Sequence, residues 1–197
     1  MNKIKNIITI LLFVTGITFL NGCVKGDFDT PPVPSFLFYE TFKDTLGSFT
    51  QYSVTGSQMW VPALHDETTY AYMTGYFDGT YNANEDWLIS KPINFDNYTE
   101  EALSFESAMD YGTAGDGSLK VYTSTDYIGT GDPNLATWIE IIPVTLSTGD
   151  FIWVSSGSID LSAITGTNVY VAFKYLCTTS GVPSWELTKT KLTGILK

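Results

Sequence analysis

The 197-residue chain has no arginine, one histidine and two cysteines, and these shortages exclude several classes of function. Ten lysines stand against 21 acidic residues, so the formal net charge is -11 at pH 7. Cationic contacts supply most of the affinity of proteins for a phosphate backbone. A chain this acidic and without arginine is therefore not expected to bind nucleic acid.

Catalytic patterns are also missing from the sequence. His65 is the only histidine, so no histidine pair exists for zinc, and no Gly-x-Ser-x-Gly elbow is present. The doublets Asp66-Glu67 and Glu85-Asp86 do not suit a glycosidase, which needs two carboxylates facing each other across a cleft. Neighbouring residues on a strand point to opposite faces. The sequence therefore predicts a protein that is not an enzyme.

The first 22 residues have the features of an export signal. Two lysines precede an apolar stretch, residues 7–20, that is too short to span a membrane. The stretch ends in Leu20-Asn21-Gly22-Cys23, which resembles the lipobox of bacterial lipoproteins. This resemblance implies lipidation of Cys23 and, because Val24 rather than aspartate follows, an anchor in the outer membrane. The alternative is an ordinary secretory signal that happens to contain a cysteine. The segment Lys25-Gly26-Asp27-Phe28-Asp29 is similar to the acidic tags that send some lipoproteins to the cell surface, and its alternative is a solvated linker.

Residues 23–35 contain three prolines and no periodic pattern, which is typical of an extended tether. Lipidation of Cys23 leaves Cys177 without a disulfide partner. Cys177 lies in the apolar run 169–177, so we expect it to be a buried small hydrophobic residue. Removal of the signal leaves eight lysines and 21 acidic residues, which gives a net charge of -13. The acidic residues are scattered along the sequence, which is typical of a surface that keeps a protein soluble.

Residues 36–197 are long enough for one domain with one core. Aromatic residues make up 15% of the chain, and helical spacing is absent beyond the signal. Turn residues separate short apolar segments, which predicts a two-layer, purely antiparallel β-sandwich with one helical turn at 161–164. Pro92 predicts that the preceding strand ends there or runs along an edge. The predicted strands are 36–42, 70–75, 87–89, 103–109, 119–124, 138–144, 151–159, 169–176 and 185–192.

Several short segments of this domain share their order with a known family. They are Tyr39-Glu40-Thr41-Phe42, then Glu85-Asp86-Trp87-Leu88-Ile89-Ser90-Lys91-Pro92-Ile93, then 103–105 with 119–126, and finally Trp153 with 159–162 and 169–175. In order and spacing they resemble the cleaved-adhesin, or choice-of-anchor J, domains of bacterial surface proteins. The resemblance implies a jelly-roll fold for residues 36–197.

The same resemblance implies a structural calcium ion, with Glu40, Asp86 and Asp110 as its contributors. This chain departs from the family pattern at Thr188, where an aspartate is usual, and Lys189 lies beside it. A lysine ammonium opposes a divalent cation. No other cofactor is expected.

The segment 70–82 is unusually rich in tyrosine and in polar residues. Sugar rings stack on exposed aromatic side chains, and carboxylates or amides hydrogen-bond their hydroxyl groups. This pattern makes Tyr76, Asp78, Tyr81 and Asn82 the candidate ligand-binding residues. The alternative is that these rings fill the sandwich, since aromatic residues dominate β cores.

These observations favour a non-catalytic, lipid-anchored surface module that binds an extracellular glycan or another macromolecule, in the manner of an adhesin. The alternative is a structural or assembly subunit of an outer-membrane complex without a small ligand. An exposed aromatic trough in the structure supports the first hypothesis. A flat apolar patch of several hundred Å² supports the second.

Overall fold

The computed structural model describes residues 31–113 and 115–197, and Pro32–Lys197 form one compact unit. The predicted signal at 1–22, Cys23 and most of the tether lie outside the described residues. Within the described ranges, no helix is long and apolar enough to cross a membrane.

Two 3₁₀ turns lie at Phe95–Asn97 and Pro133–Leu135. The strands are β1 (Ser35–Glu40), β2 (Phe49–Thr55), β3 (Val61–His65), β4 (Thr68–Met73), β5 (Tyr76–Phe77), β6 (Thr80–Tyr81), β7 (Asn84–Ser90), β8 (Tyr98–Asp110), β9 (Leu119–Ser124), β10 (Ile139–Glu140), β11 (Val154–Ser155), β12 (Ile159–Asp160), β13 (Tyr170–Cys177) and β14 (Ser184–Leu196).

The strands form two main sheets and one hairpin. The large sheet has the order β11-β8-β14-β4-β3, with β1 paired to β14 and β12 paired to β8. The small sheet has the order β10-β9-β13-β7-β2, and β5 pairs only with β6. Every strand pairing among the described residues is antiparallel, which confirms the predicted antiparallel β-sandwich.

The core lies between the two sheets because alternate residues of each strand point inward. Along β7, Leu88 belongs to the main core, whereas Trp87 and Ile89 belong to a second apolar cluster on the other face of the small sheet. Phe105 of the large sheet packs edge-to-face on Phe173 of the small sheet, with ring centroids 5.0 Å apart. Cys177 is buried, as the sequence predicts. The inward set is dominated by aromatic and aliphatic side chains from both sheets.

The structure also corrects several predicted elements. Sequence patterns missed β2 and β3, an edge strand of each sheet, since only one side of an edge strand is paired and few of its side chains are buried. The predicted helical turn is instead an isolated turn, in which Ile164 N–H donates to the Leu161 carbonyl at 2.9 Å. The predicted strands 138–144 and 151–159 are reduced to β10, β11 and β12. The strand before Pro92 does end at Ser90, as expected.

Candidate ligand-binding groove

The segment predicted as a binding loop is a short hairpin that projects between β4 and β7. Asp78 and Gly79 form its two-residue turn with φ of 46° and 76°. Positive φ at both positions is the conformation that Asp-Gly favours between twisted strands. Tyr76 lies directly opposite Tyr81 across the hairpin, and their ring centroids are 5.4 Å apart. The hairpin therefore presents two tyrosines side by side.

These two tyrosines form part of a larger concave surface, which we call the tyrosine groove. Its volume is about 490 Å³, within the range usual for small-molecule sites. Tyr76, Tyr81 and Tyr111 are 49%, 56% and 73% exposed, so their rings are open to a ligand. The described residues that line the groove are Tyr72, Tyr76, Tyr81, Tyr111, Ser180, Gly181, Val182 and Ser184.

One buried hydroxyl group joins the two walls of the groove. Tyr175 of β13 points into the core, where its hydroxyl accepts a hydrogen bond from Gly75 N–H at 3.0 Å and donates one to the Pro183 carbonyl at 2.8 Å. Gly75 lies at the base of the hairpin, and Pro183 lies at the base of the 178–183 loop. Burial raises the pKa of the Tyr175 phenol far above its usual range, so the group remains a neutral donor. A central strand thus fixes both walls.

The other two predicted ligand residues do not line the groove. Asn82 uses its amide group within the hairpin, donating to the carbonyls of Gly75 and Thr80 at 3.1 and 3.2 Å. Its backbone carbonyl accepts a hydrogen bond from the Cys177 thiol at 3.2 Å. Asp78 lies exposed at the tip of the turn. Their roles are therefore in shaping the hairpin.

The floor of the groove continues along the outer face of the large sheet. Tyr72 donates a hydrogen bond from its hydroxyl to the Ser184 hydroxyl at 3.2 Å. Glu186 is the cross-strand neighbour of Tyr72, and burial raises the pKa of its carboxyl. Burial, together with the nearby Glu186, raises the pKa of the Tyr70 phenol to about 12. No charged side chain is among the described residues that line the groove, whereas the cross-strand neighbours of Tyr72 and Ser184 are the acidic residues Glu186 and Asp110.

A second aromatic surface lies on the outer face of the small sheet, but its rings pack against one another. Tyr127 and Tyr170 pack edge-to-face with centroids 5.1 Å apart, and both are buried. Trp138 lies on Trp87 at 4.9 Å. The cavity beside them is only about 280 Å³. These rings are covered by one another and by the loop that carries Tyr127, so they are not open to a ligand. The tyrosine groove is therefore the better candidate site.

The three residues expected to hold calcium are not brought together. Glu40 ends β1 and accepts a hydrogen bond from Ser48 N–H at 2.8 Å, and Asp110 ends β8 in the same large sheet. Asp86 belongs to the small sheet. Among the described residues, no three acidic, histidine or cysteine side chains lie close enough to hold a metal ion. The expected calcium set is therefore not assembled, since even Glu40 and Asp110 pair with Thr190 and Ser184, which are six residues apart along β14.

Asp86 nevertheless has an unusual environment. It is 1% exposed, shares the inward face of β7 with Leu88, and neither carboxyl oxygen has a hydrogen-bond partner. The side-chain oxygens of Asn84 and Gln51 are also buried and unpaired. One carboxylate and two amide oxygens fall short of the six to eight oxygens that calcium takes. Burial raises the pKa of Asp86 to about 7, so the fold suits a protonated carboxyl.

Tyr72, Tyr111 and Ser184 are groove residues that were not among the four candidate ligand residues, although Tyr72 lies within the tyrosine-rich segment 70–82. They lie on β4, after β8 and on β14, so only strand pairing brings them to one place. The alternation of tyrosine and small residues along β4 was the available signal for Tyr72. No local pattern marks Tyr111 or Ser184.

Comparisons with known proteins define the family and the fold. The family described as "Domain of unknown function (DUF5017)" matches residues 91–196, more than half of the chain, whereas no curated protein matches. Among solved structures, the chain is similar to the K3 cleaved adhesin domain of Lys-gingipain from Porphyromonas gingivalis, with a TM-score of 0.56 and 16% identity over 81% of this chain and 99% of that one. The K2 cleaved adhesin domain of Lys-gingipain matches with a TM-score of 0.54 and 18% identity, over 81% of this chain and 98% of that one. These likenesses confirm the predicted cleaved-adhesin type of fold, and the match over residues 91–196 shows that the chain belongs to the DUF5017 family.

Proposed function

We propose that this protein is a non-catalytic module of the bacterial cell surface that binds glycans through the tyrosine groove. The observation that carries the proposal is the set of exposed tyrosine rings held side by side over a cavity of about 490 Å³. Tyrosine offers a rigid apolar face for the C–H side of a sugar ring and a hydroxyl group for its polar edge. The fold shared with the cleaved adhesin domains of Lys-gingipain supports the proposal.

The chemistry of the groove supports binding without catalysis. Its described lining consists of tyrosine, serine, glycine and valine. Glycoside cleavage needs one carboxyl group as acid and another as base or nucleophile. His65, the one histidine, lies exposed at the end of β3 with Asp66 3.7 Å away, and it does not line the groove. A ligand held there meets ring faces and hydroxyl groups alone.

A lipid anchor at Cys23 is part of the proposal. Cys23 and the start of β1 at Ser35 are 12 residues apart, which limits the reach of the tether to about 40 Å. Buried acyl chains contribute roughly 0.8 kcal/mol per methylene group, enough for a stable outer-membrane anchor when several chains are present. The groove is then available to glycans outside the cell.

Replacement of Cys23 by alanine in the full chain is expected to release the protein from membranes. The thiol that would carry the acyl chains is then missing, whereas the domain at 32–197 is unchanged. Fractionation of expressing cells into membrane and soluble pools measures the effect, with Cys177→Ala as the matched cysteine control. Membrane retention of the Cys23→Ala protein would refute the anchor.

Replacement of both Tyr76 and Tyr81 by alanine is expected to lower glycan affinity at least about tenfold, because stacked aromatic anchors dominate such interfaces. A glycan array of the domain 32–197 identifies the bound sugars, and titration calorimetry then measures the affinity. Tyr39→Ala is the matched control, since Tyr39 is 50% exposed on β1 and does not line the groove. Equal affinity of the double variant and the control would remove the groove from the function.

The assembly-subunit hypothesis has a separate observation in its favour. Ile128, Leu135, Ile139 and Ile142 are 81%, 88%, 68% and 76% exposed. Exposed aliphatic side chains of this kind suit a protein contact. An array without any bound glycan, together with a partner crosslinked through residues 128–142 in intact membranes, would favour this function over glycan binding.

A further inference from the structure

The tyrosine groove does not end at the 178–183 loop. A second cavity of about 510 Å³ lies on the other side of that loop and shares Tyr111, Ser180 and Gly181 with the groove. Because the same three residues line both, the two cavities are adjacent. The remaining residues of the second cavity are Gly112, Thr113, Asp116, Gly117, Ser118, Leu176, Cys177, Thr178 and Pro183.

The ridge between the cavities is built locally. Thr178 and Gly181 form an isolated β-bridge, and the hydroxyl groups of Thr178 and Ser180 lie 2.9 Å apart. Pro183, at the end of the loop, is held by the Tyr175 hydroxyl. The ridge is thus a tight turn fixed at its base, and a ligand longer than one cavity has to pass over Ser180 and Gly181.

The two cavities differ in chemistry. The tyrosine groove offers ring faces, whereas the second cavity offers hydroxyl groups and one carboxylate. That carboxylate, Asp116, accepts hydrogen bonds from Ser118 N–H at 2.8 Å and Thr113 N–H at 3.3 Å, which shape the loop between β8 and β9. No lysine is among the described residues that line either cavity. Lys120 lies beside Gly117, but its ammonium group is paired with Glu140 at 3.0 Å, so neither cavity offers a free counter-charge to an acidic sugar.

We infer that the ligand is an uncharged oligosaccharide chain whose units occupy both cavities, rather than a single terminal sugar. This inference rests on the glycan-binding function proposed above. Ring stacking on the tyrosines holds one part of the chain, and hydroxyl contacts beyond the ridge hold the next units. Asp116 disfavours carboxylated or sulfated chains by like-charge repulsion.

The test is a length series. The domain 32–197 is titrated with gluco-, xylo-, manno- and galacto-oligosaccharides of two, four and six units, and with oligogalacturonides of the same lengths as acidic chains. We expect the hexasaccharide of at least one neutral series to bind about tenfold or more tightly than its disaccharide, because a second set of contacts is added. We expect the acidic chains to bind at least about tenfold more weakly than that hexasaccharide.

Two variants separate the cavities. Leu176→Ala with Thr113→Ala removes contact surface from the second cavity alone, since neither residue lines the tyrosine groove or holds the ridge. This variant is expected to lower hexasaccharide affinity by about three- to tenfold while disaccharide affinity changes less than about twofold. Leu64→Ala, an exposed leucine on β3, is the matched control and leaves both affinities unchanged. Thermal melts establish that each variant is folded.

The outcomes distinguish the two proposals. Equal affinity for disaccharide and hexasaccharide, or equal losses for both ligands in the Leu176/Thr113 variant, would overturn the chain inference and leave glycan binding intact. If the acidic chains bind as tightly as the neutral hexasaccharide, the inference that the ligand is uncharged is overturned. No binding of any oligosaccharide here or on the array would overturn the proposed function and the inference together.

Discussion

Replacing Asp86 by asparagine is expected to raise the free energy of unfolding at pH 8 by as much as about 4 kcal/mol and to change it little at pH 4. The reason is the unpaired, buried carboxyl of Asp86, whose pKa burial raises to about 7. The carboxyl of an unfolded chain titrates near 3.9. One pKa unit corresponds to about 1.4 kcal/mol, so a shift of roughly three units sets the upper figure.

The direction follows from proton linkage. Between pH 4 and pH 7 the folded protein holds a proton on Asp86 that the unfolded chain has released. The stability from this group is therefore fully present below about pH 4, falls as the pH rises, and is lost above the folded pKa near 7. Asparagine keeps the shape of the protonated side chain without a charge to bury. The stabilising effect of the substitution thus grows with pH.

The measurement is chemical denaturation of both proteins from pH 4 to pH 8, with the difference between them plotted against pH. Other titrating groups are common to both proteins and cancel in that difference. Asp78→Asn is the control, because Asp78 lies exposed at a turn where asparagine is equally accepted, and we expect changes within about 0.5 kcal/mol. A flat difference would show that the Asp86 carboxyl is not strained by burial.

The wild-type and Asp86→Asn proteins also test whether calcium binds. Because the expected ligands are not brought together, added calcium is not expected to raise the melting temperature of the wild-type protein relative to a chelator. A calcium-dependent rise that disappears in Asp86→Asn would show that Asp86 ligates the ion together with oxygens outside the predicted set.

Much of the fold was predictable because its central strands bury one or both faces and so display strong patterns. The run Val169–Leu176 and the segment 119–124 correspond closely to β13 and β9. β2 and β3 escaped prediction because they lie at sheet edges, where polar residues and Pro62 are tolerated. Sequence alternation reports burial, and edge strands are only partly buried.

The site was only partly predictable, for a different reason. Tyr76 and Tyr81 are close in sequence, so a local aromatic pattern was enough to predict them. Tyr111 and Ser184 reach the groove through the pairing of β8 with β14, which no local pattern encodes. Asn82 and Asp78 looked like ligand residues because turn-forming and sugar-binding side chains are of the same types. Hydrogen bonding within the hairpin resolves that ambiguity.

Replacing Tyr175 by phenylalanine is expected to cost about 2 to 4 kcal/mol of unfolding free energy and to weaken glycan binding roughly tenfold. The variant keeps the ring in the core but leaves Gly75 N–H and the Pro183 carbonyl buried without a partner. Each unpaired buried backbone group costs about 1 to 3 kcal/mol. These two groups lie at the bases of the hairpin and of the ridge loop, so the walls of the groove lose their common tie.

A loss of stability alone would not establish that Tyr175 positions the groove, so affinity has to be measured under conditions where the variant is fully folded. Tyr127→Phe is the matched control, because it removes a buried tyrosine hydroxyl that donates one bond, at 3.2 Å, to the Gly131 carbonyl on the other side of the small sheet. We expect that control to lose less stability and to keep full glycan affinity. Should Tyr175→Phe also keep full affinity, the groove walls would be held by their own contacts, and Tyr175 would be a structural residue of the core. A selective loss in Tyr175→Phe would instead show that a hydroxyl group beneath the surface determines the spacing of the rings that bind the sugar.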